Sequence, residues 1–174
     1  MRRRAALLVG SLVATAALTA CGGEGTSAPS QGLQVRPVLG AADDLACDAL
    51  GDGAVADLER PGNAPAEEDV EACALDGVGY RLGEAAVDGG VVSVELRAAT
   101  DSYLVEIVLD DDAAQAMSDL TSDAASSDSQ VALVADGVVV SAPMIAGVVG
   151  GSLQVSGPWN GSQAEEIAAL LRRG

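Results

Sequence analysis

The chain has 174 residues, of which 49% are hydrophobic, and a formal net charge of −17. It contains no His, and all nine basic residues are Arg. This composition excludes Ser-His-Asp and Cys-His catalysis, His-ligated zinc, Schiff-base lysines and the lysine of a phosphate-binding loop. With one Trp, two Tyr and no Phe, aromatic platforms for sugars or bases are nearly excluded. We therefore predict no enzyme activity, no cofactor, no metal and, because acidic surfaces repel phosphates, no nucleic-acid partner.

The N-terminus has the pattern of an export signal. Arg2–Arg4 precede an apolar run over 5–17, which is short for a membrane span but typical of a signal peptide. The next residues, Leu18-Thr19-Ala20-Cys21, resemble a bacterial lipobox, in which the Cys receives a diacylglyceryl group. We predict a lipoprotein signal peptide over 1–20 and a lipid on Cys21 that anchors the protein to the extracytoplasmic side of the cell membrane. The alternative is an ordinary signal peptide that happens to precede a Cys.

The segment after Cys21 is predicted to be a flexible stalk. Residues 22–32 are rich in Gly, Ser and Pro, a composition typical of linkers, and we place the stalk at 21–40. Without residues 1–20, six basic and 26 acidic side chains remain, a net charge of −20. Such acidity favours solubility.

Two cysteines remain in the mature chain, Cys47 and Cys73. An even pair in an exported protein favours a disulfide; the alternative is two buried free thiols. Gly, Pro and acidic residues dominate between them, so we predict that 41–78 is loop-rich and clipped by the bond.

From residue 79 onward the pattern predicts one α+β domain, 79–174. Strands are expected where apolar and polar residues alternate or where β-branched residues cluster: at 80–82, 91–97, 103–109, 130–135, 138–141 and 152–156. Asp136-Gly137 predicts a tight hairpin turn. Asp110–Asp112 favour a helix N-terminus; a Ca²⁺ site is the less favoured alternative.

Two helices complete the prediction. The first begins at the Asp110 cluster and ends before a polar loop over 122–129; the second begins with a capping box, Ser162 to Glu165, and buries Ile167 and Leu171. The fold class is therefore α+β: a mainly antiparallel sheet, with hairpins between adjacent strands and two helices packed on one face.

The last hundred residues resemble a known family. The motifs that carry the resemblance are VALVADGVVVSAP at 131–143, a Gly-Gly turn at 150–151, LQVSG at 153–157 and AEEIAALL at 164–171. In this order they resemble the head subdomain of the first periplasmic domain of SecD, the accessory subunit of Sec protein export. The entry from Cys73 to Gly83 is similar to that of actinobacterial relatives.

The resemblance implies a SecD head-like fold and a role in touching exported polypeptides or Sec translocon components near the membrane. In SecD the head is inserted between a base and a transmembrane bundle; this sequence shows neither, so we expect a detached head on a lipid anchor and not a proton-driven motor. The hypothesis is a non-catalytic binding module. The alternatives are a structural or regulatory envelope lipoprotein unrelated to export, and a hydrolase with paired carboxylates, which the shortage of aromatic residues disfavours.

Four residues are candidates for partner contact. Val139, Met144 and Ile145 belong to an apolar stretch around Pro143 that forms either core or an exposed lip able to bind extended peptide. Trp159, the only Trp, either packs over the start of the last helix or anchors a partner.

Overall fold

The computed structural model describes residues 32–100 and 102–173. The predicted signal peptide, the lipidation site Cys21 and stalk residues 21–31 lie outside these ranges. The strands are β1 Leu33–Ala41, β2 Val70–Cys73, β3 Gly79–Leu82, β4 Val87–Asp88, β5 Val91–Ala98, β6 Tyr103–Leu109, β7 Val131–Ala135, β8 Val138–Ser141 and β9 Ser152–Gly157. The helices are α1 Asp111–Ser126 and α2 Gly161–Leu171, with a short 3-10 turn at Val55–Asp57.

The described strands form two sheets. The first has the order β2-β3-β1-β7-β8, with β4 also paired to β1, and the second has the order β5-β6-β9. The ladders between named strands are antiparallel. The predicted α+β class with two helices is confirmed, but the strands divide between two sheets, and β9 pairs with β6 instead of forming a hairpin with β8.

Strand β1 corrects the predicted extent of the stalk. Residues 33–40 were expected to belong to a flexible linker, yet they form a strand between β3 and β7, and Leu33 and Val35 are fully buried. The alternation of Leu33 and Val35 with polar neighbours matches a strand, and burial of apolar side chains drives the segment into the sheet. The folded part therefore includes residues from Leu33 onward.

The second sheet carries both helices on its apolar face. Val105 and Ile107 of β6 are fully buried and share one core cluster with Met117 of α1 and Ile167 of α2. Both helices contact β6, and α1 also contacts β1 and β4, which joins the two sheets. Neither helix of the described part has the length and hydropathy that crossing a bilayer requires.

Both helix boundaries differ locally from the prediction. Helix α1 continues to Ser126, five residues into the predicted polar loop. Its inner face continues through Thr121, whose hydroxyl donates to the Met117 carbonyl oxygen, and through the buried Ala124. Helix α2 is capped by Asn160 and not by Ser162: the Asn160 side chain accepts a bond from the Gln163 N–H, and the Gln163 side chain accepts one from the Asn160 N–H. Asn is as good an N-cap as Ser, and Gln serves at the third position of a capping box.

The β7–β8 hairpin has the predicted turn. Asp136 and Gly137 both adopt positive φ, 55° and 81°, as a two-residue turn that matches strand twist requires. A Cβ at position 137 would also collide with the carbonyl oxygen of Gly62. Glycine is therefore required at 137 by both backbone conformation and space.

The predicted disulfide is present. Cys47 and Cys73 are bonded, with Cα atoms 5.4 Å apart. The segment between them contains the short turn Val55–Asp57 and strand β2 and is otherwise irregular.

A fully buried arginine holds this irregular segment against β1. The Arg36 guanidinium donates to the carbonyl oxygens of Pro65 at 2.8 Å, Glu68 at 2.6 Å and Gly83 at 2.9 Å, and its Nε donates to Gln34 Oε1 at 3.0 Å. The pKa of Arg36 is lowered from its ordinary value because the group is buried, and the nearby acids Asp88, Asp69 and Glu68 offset only part of this shift. Nothing in the sequence pattern marks Arg36 as a buried residue.

Candidate functional site

The candidate site is a groove between the two sheets, which we call the edge groove. It consists of two cavities, of about 530 Å³ and 460 Å³, that share Ser141, Pro143 and Ser156. One wall is β9 and the opposite wall is the end of β8 with the loop that follows it. We call the cavity of about 530 Å³ the acidic end and the cavity of about 460 Å³ the apolar half.

The apolar half follows the length of β9. Its lining contains side chains from α1, β7, the loop after β8, and β9: Met117, Val131, Leu133, Ile145, Leu153 and Val155. These side chains are 8% exposed or less. The floor of the apolar half is therefore formed by side chains of the main core cluster.

The outer edge of β9 borders this cleft. Leu109 donates its N–H to the Gly151 carbonyl oxygen at 2.8 Å, and with the β6–β9 register this fixes the phase of the antiparallel ladder. Leu153 and Val155 direct their backbone polar groups to β6, while Ser152, Gln154 and Ser156 direct theirs to the outer edge. Among the described strands, none pairs with that edge.

The loop after β8 is anchored on both sides. Pro143 O accepts from the Val131 N–H at 3.1 Å, and Ile145 N–H donates to Ser129 O at 3.1 Å. Farther along, the buried Thr121 hydroxyl accepts from the Val149 N–H at 2.9 Å. These contacts fix both ends of the loop against β7 and α1.

The acidic end is built from the segments that follow the two cysteines. Leu50 N–H donates to Leu75 O at 2.8 Å, and Leu75 N–H donates to Val139 O at 3.2 Å. The Gln163 side chain of α2 donates to Gly51 O at 2.9 Å. The disulfide and these bonds attach the wall to β8 and α2.

The acidic end contains two carboxylates and no basic side chain. Asp52 and Asp76 line it, together with Tyr80 and Trp159. Burial, with Asp76 as the second cause, raises the pKa of Tyr80. A positively charged group is the electrostatic complement of this end.

The structure brings the four predicted contact residues to the same region with different accessibility. Met144 is 58% exposed, on the loop after β8, and Trp159 is partly buried in the acidic end. Ile145 is 8% exposed on the floor, and Val139 is fully buried in a second core cluster. Val139 therefore supports the groove from behind and has no surface to offer a partner.

Trp159 lies against the backbone of β9. Its indole ring covers Gly157 so closely that a Cβ at 157 would collide with it. The ring also packs against the main core cluster. Trp159 therefore packs against β9 and the core and also lines the acidic end.

Sequence reasoning missed several groove elements. The outer edge of β9 depends on the pairing of β9 with β6, and Leu50, Asp52 and Asp76 come from the segment predicted only as loop. The Leu153-Gln-Val155 alternation was the available signal for β9, but no local pattern gives its partner. Asp110 caps α1 by accepting from the Ala113 N–H at 2.9 Å, and the described residues contain no cluster of ligands that could hold a metal ion.

Solved structures share this fold. The chain superposes on the structure described as "Crystal structure of SecDF in Super-membrane-facing form" with a TM-score of 0.51 and 21% identity, covering 82% of this chain and 18% of that one. It superposes on the structure described as "Structure and function of a membrane component SecDF that enhances protein export" with a TM-score of 0.53 and 19% identity, covering 84% and 64%. The chain thus spans less than two thirds of the length of either.

No curated protein matches the chain. The family model "SecDF, P1 head subdomain" matches residues 80–174, more than half of the sequence and the part that contains both helices and strands β4 to β9. This match agrees with the fold and with the motifs at 131–143 and 153–157. The chain belongs to the SecDF P1 head subdomain family.

Proposed function

We propose that this protein is an extracytoplasmic, non-catalytic binding module that contacts exported polypeptides close to the membrane. The observation that carries the proposal is the edge groove on a SecDF P1 head fold: an apolar cleft along an edge of β9 with which no described strand pairs. Trp159 lines the groove, and Met144 is exposed on the loop after β8 that forms one wall. One of the two relatives is described as a membrane component that enhances protein export. An apolar cleft with a free backbone edge suits a polypeptide better than a small polar substrate.

The proposal includes the lipid anchor. Residues 1–20 act as a lipoprotein signal peptide, Cys21 receives the lipid, and the following residues up to Gly32 tether the folded part to the cell membrane. Metabolic labelling with an alkyne-tagged fatty acid tests this: the wild-type chain is labelled and sediments with membranes, and Cys21→Ser abolishes labelling. Labelling that persists in Cys21→Ser would contradict lipidation at this residue.

Site-specific photo-crosslinking in living cells tests the contact with exported chains. A photoreactive residue is placed at Met144 or at Trp159, and as a matched control at Val92, which is 66% exposed on β5, at the edge of the second sheet opposite to β9. We expect adducts with exported polypeptides or Sec translocon components at Met144 and at Trp159, and none at Val92. Equal adduct patterns at all three positions, or adducts only with an unrelated envelope protein, would contradict the proposal.

A further inference from the structure

We propose that the edge groove receives an extended polypeptide as an additional antiparallel strand on β9, with a basic N-terminal end of that polypeptide at Asp52 and Asp76. This inference rests on the proposed function and specifies its substrate class and its mode of binding. Three independent properties of the groove support it: the phase of the backbone groups on β9, the apolar floor, and the placement of charge.

The backbone groups are the first argument. Gln154 lies opposite Glu106 at a position where the two residues exchange no ladder bonds, because the bonded pairs are those in phase with Leu109 and Gly151. The N–H and C=O groups of Ser152, Gln154 and Ser156 therefore face the cleft. A row of donors and acceptors in this phase is complementary to the backbone of an extended chain.

The floor is the second argument. Because an added strand continues the pleat of the sheet, its alternate side chains point to the face that Leu153 and Val155 occupy. On that face they meet the apolar half, where Ile145, Leu133 and Met117 line the floor and are at most 8% exposed. The other side chains point outward beside Ser152 and Gln154, which are exposed. The preferred segment thus alternates apolar and polar residues.

Charge is the third argument and gives the direction. The acidic end lies at the C-terminal end of β9, where Ser156 and Gly157 meet Asp52 and Asp76. An antiparallel strand begins where β9 ends, so its N-terminal residues reach these carboxylates. The whole chain is also strongly acidic, with a net charge of −17, and this accelerates encounter with basic segments.

The probe is a fluorescein-labelled octapeptide, Lys-Lys-Val-Thr-Val-Thr-Val-Thr, bound to the full chain purified in detergent and measured by fluorescence anisotropy. In antiparallel addition, the residues that bond to Gln154 and its neighbours have side chains on the outer face, which are the threonines. N-methylation of the threonines should weaken binding at least about tenfold because several bonds of about 1 kcal/mol each are lost. N-methylation of the valines, whose N–H groups face away from β9, should leave affinity within about threefold.

Two further peptides test direction and charge. Placing the lysines at the C-terminal end, or replacing them with glutamates, should weaken binding at least about tenfold. Weakening by valine methylation in place of threonine methylation would indicate a parallel strand and overturn the proposal. Equal tolerance of both methylated sets would show that the peptide does not pair with an edge, and would also overturn it.

A protein variant tests the same bond from the other side. Gln154→Pro removes the N–H that faces the cleft and no ladder bond to β6, a placement that edge strands tolerate. Gln154→Ala, the matched control, removes only the side chain. We expect about tenfold weaker peptide binding for the first and less than about twofold for the second. If Gln154→Pro unfolds, as judged by circular dichroism, the peptide series on the wild-type chain decides alone.

The outcomes separate this inference from the proposed function. Crosslinks to exported polypeptides at Met144 and Trp159, combined with a peptide that does not bind or is insensitive to N-methylation, would retain the binding module and overturn strand addition. Absent crosslinks combined with methylation-sensitive binding would support strand addition and contradict the assigned partners.

Discussion

Replacing Arg36 with Met should destabilise the fold strongly although Met fills a similar volume. The Arg36 side chain has no solvent exposure, and its guanidinium donates to the carbonyl oxygens of Ala64, Pro65, Glu68 and Gly83. In Arg36→Met the Ala64 oxygen keeps its bond from Gln34 and the Pro65 oxygen keeps its bond from the Glu68 N–H. The Glu68 and Gly83 oxygens lose the guanidinium donor, and each buried unpaired group costs about 1–3 kcal/mol. Part of that loss is offset because the buried charge no longer has to be desolvated. We therefore expect a loss of about 2–4 kcal/mol in the free energy of unfolding.

The control is Arg60→Met. Arg60 pairs with Asp136 at 3.3 Å near the surface, where the two side chains are 28% and 33% exposed. Such a pair contributes about 0–1 kcal/mol. Both variants lose one positive charge from the same acidic chain, so the comparison removes the effect of net charge.

Urea denaturation followed by circular dichroism measures the difference. With a slope of about 2 kcal/mol per molar urea, a loss of about 3 kcal/mol lowers the midpoint by about 1.5 M, and the control shifts it by less than about 0.5 M. Equal midpoints for Arg36→Met and Arg60→Met would refute the claim that the buried guanidinium holds residues 64–68 to β1. An increase in stability would show that its desolvation outweighs its hydrogen bonds.

Three further predictions use the same measurement. Cys73→Ser should cost about 3.5 kcal/mol, the chain-entropy value for a sequence separation of 26, and an unchanged midpoint would contradict that origin. Asn160→Ala should cost about 1 kcal/mol and Ser162→Ala less than about 0.5 kcal/mol, and the reverse order would restore the predicted Ser cap. Because the pKa of Tyr80 is raised in the fold, the unfolded chain releases this proton first, so stability should fall as pH rises past about 10; Tyr80→Phe should flatten that fall, and no difference from wild type would contradict it.

The strands and turns that local chemistry specifies were predicted well. Strand β6 has its predicted bounds, and the Asp136-Gly137 turn forms because both residues reach positive φ. The disulfide was predictable because assigning Cys21 to the lipid left one pair of cysteines in an exported chain. Local patterns are sufficient where the determining interactions lie within a few residues.

The failures share a physical cause, which is dependence on distant partners. Strand β1 was assigned to the stalk because the neighbouring Gly, Ser and Pro residues dominate the composition up to Gly32, whereas its burial comes from β3 and β7. The burial of Arg36 was unpredictable for the same reason, because its acceptors Pro65 O and Gly83 O lie 29 and 47 residues away along the chain. The family resemblance began at Cys73 and could not include either.

The solvent exposure of the candidate contact residues likewise depends on the distant residues against which they pack. Val139 and Met144 belong to one apolar stretch, yet the first is fully buried and the second is 58% exposed. The Val139 side chain lies in the second core cluster with Ala74 and Leu82, whereas Met144 lies on the loop after β8, where its backbone bridges to Gln130 and its side chain is exposed. Hydrophobicity alone could not separate the two.

The edge groove exists because β9 does not pair with β8, the strand that precedes it in the sequence. Had β9 formed a hairpin with β8, its inner edge would have been paired and the two sheets would have merged. Instead it pairs with β6, and the loop after β8 is fixed by Pro143 and Val149 to β7 and α1. The edges of both sheets then face a common cleft whose floor is core and whose end is acidic. An edge that no described strand pairs with, beside an apolar floor, is an aggregation hazard, and the proposed strand addition gives a physical reason for retaining it.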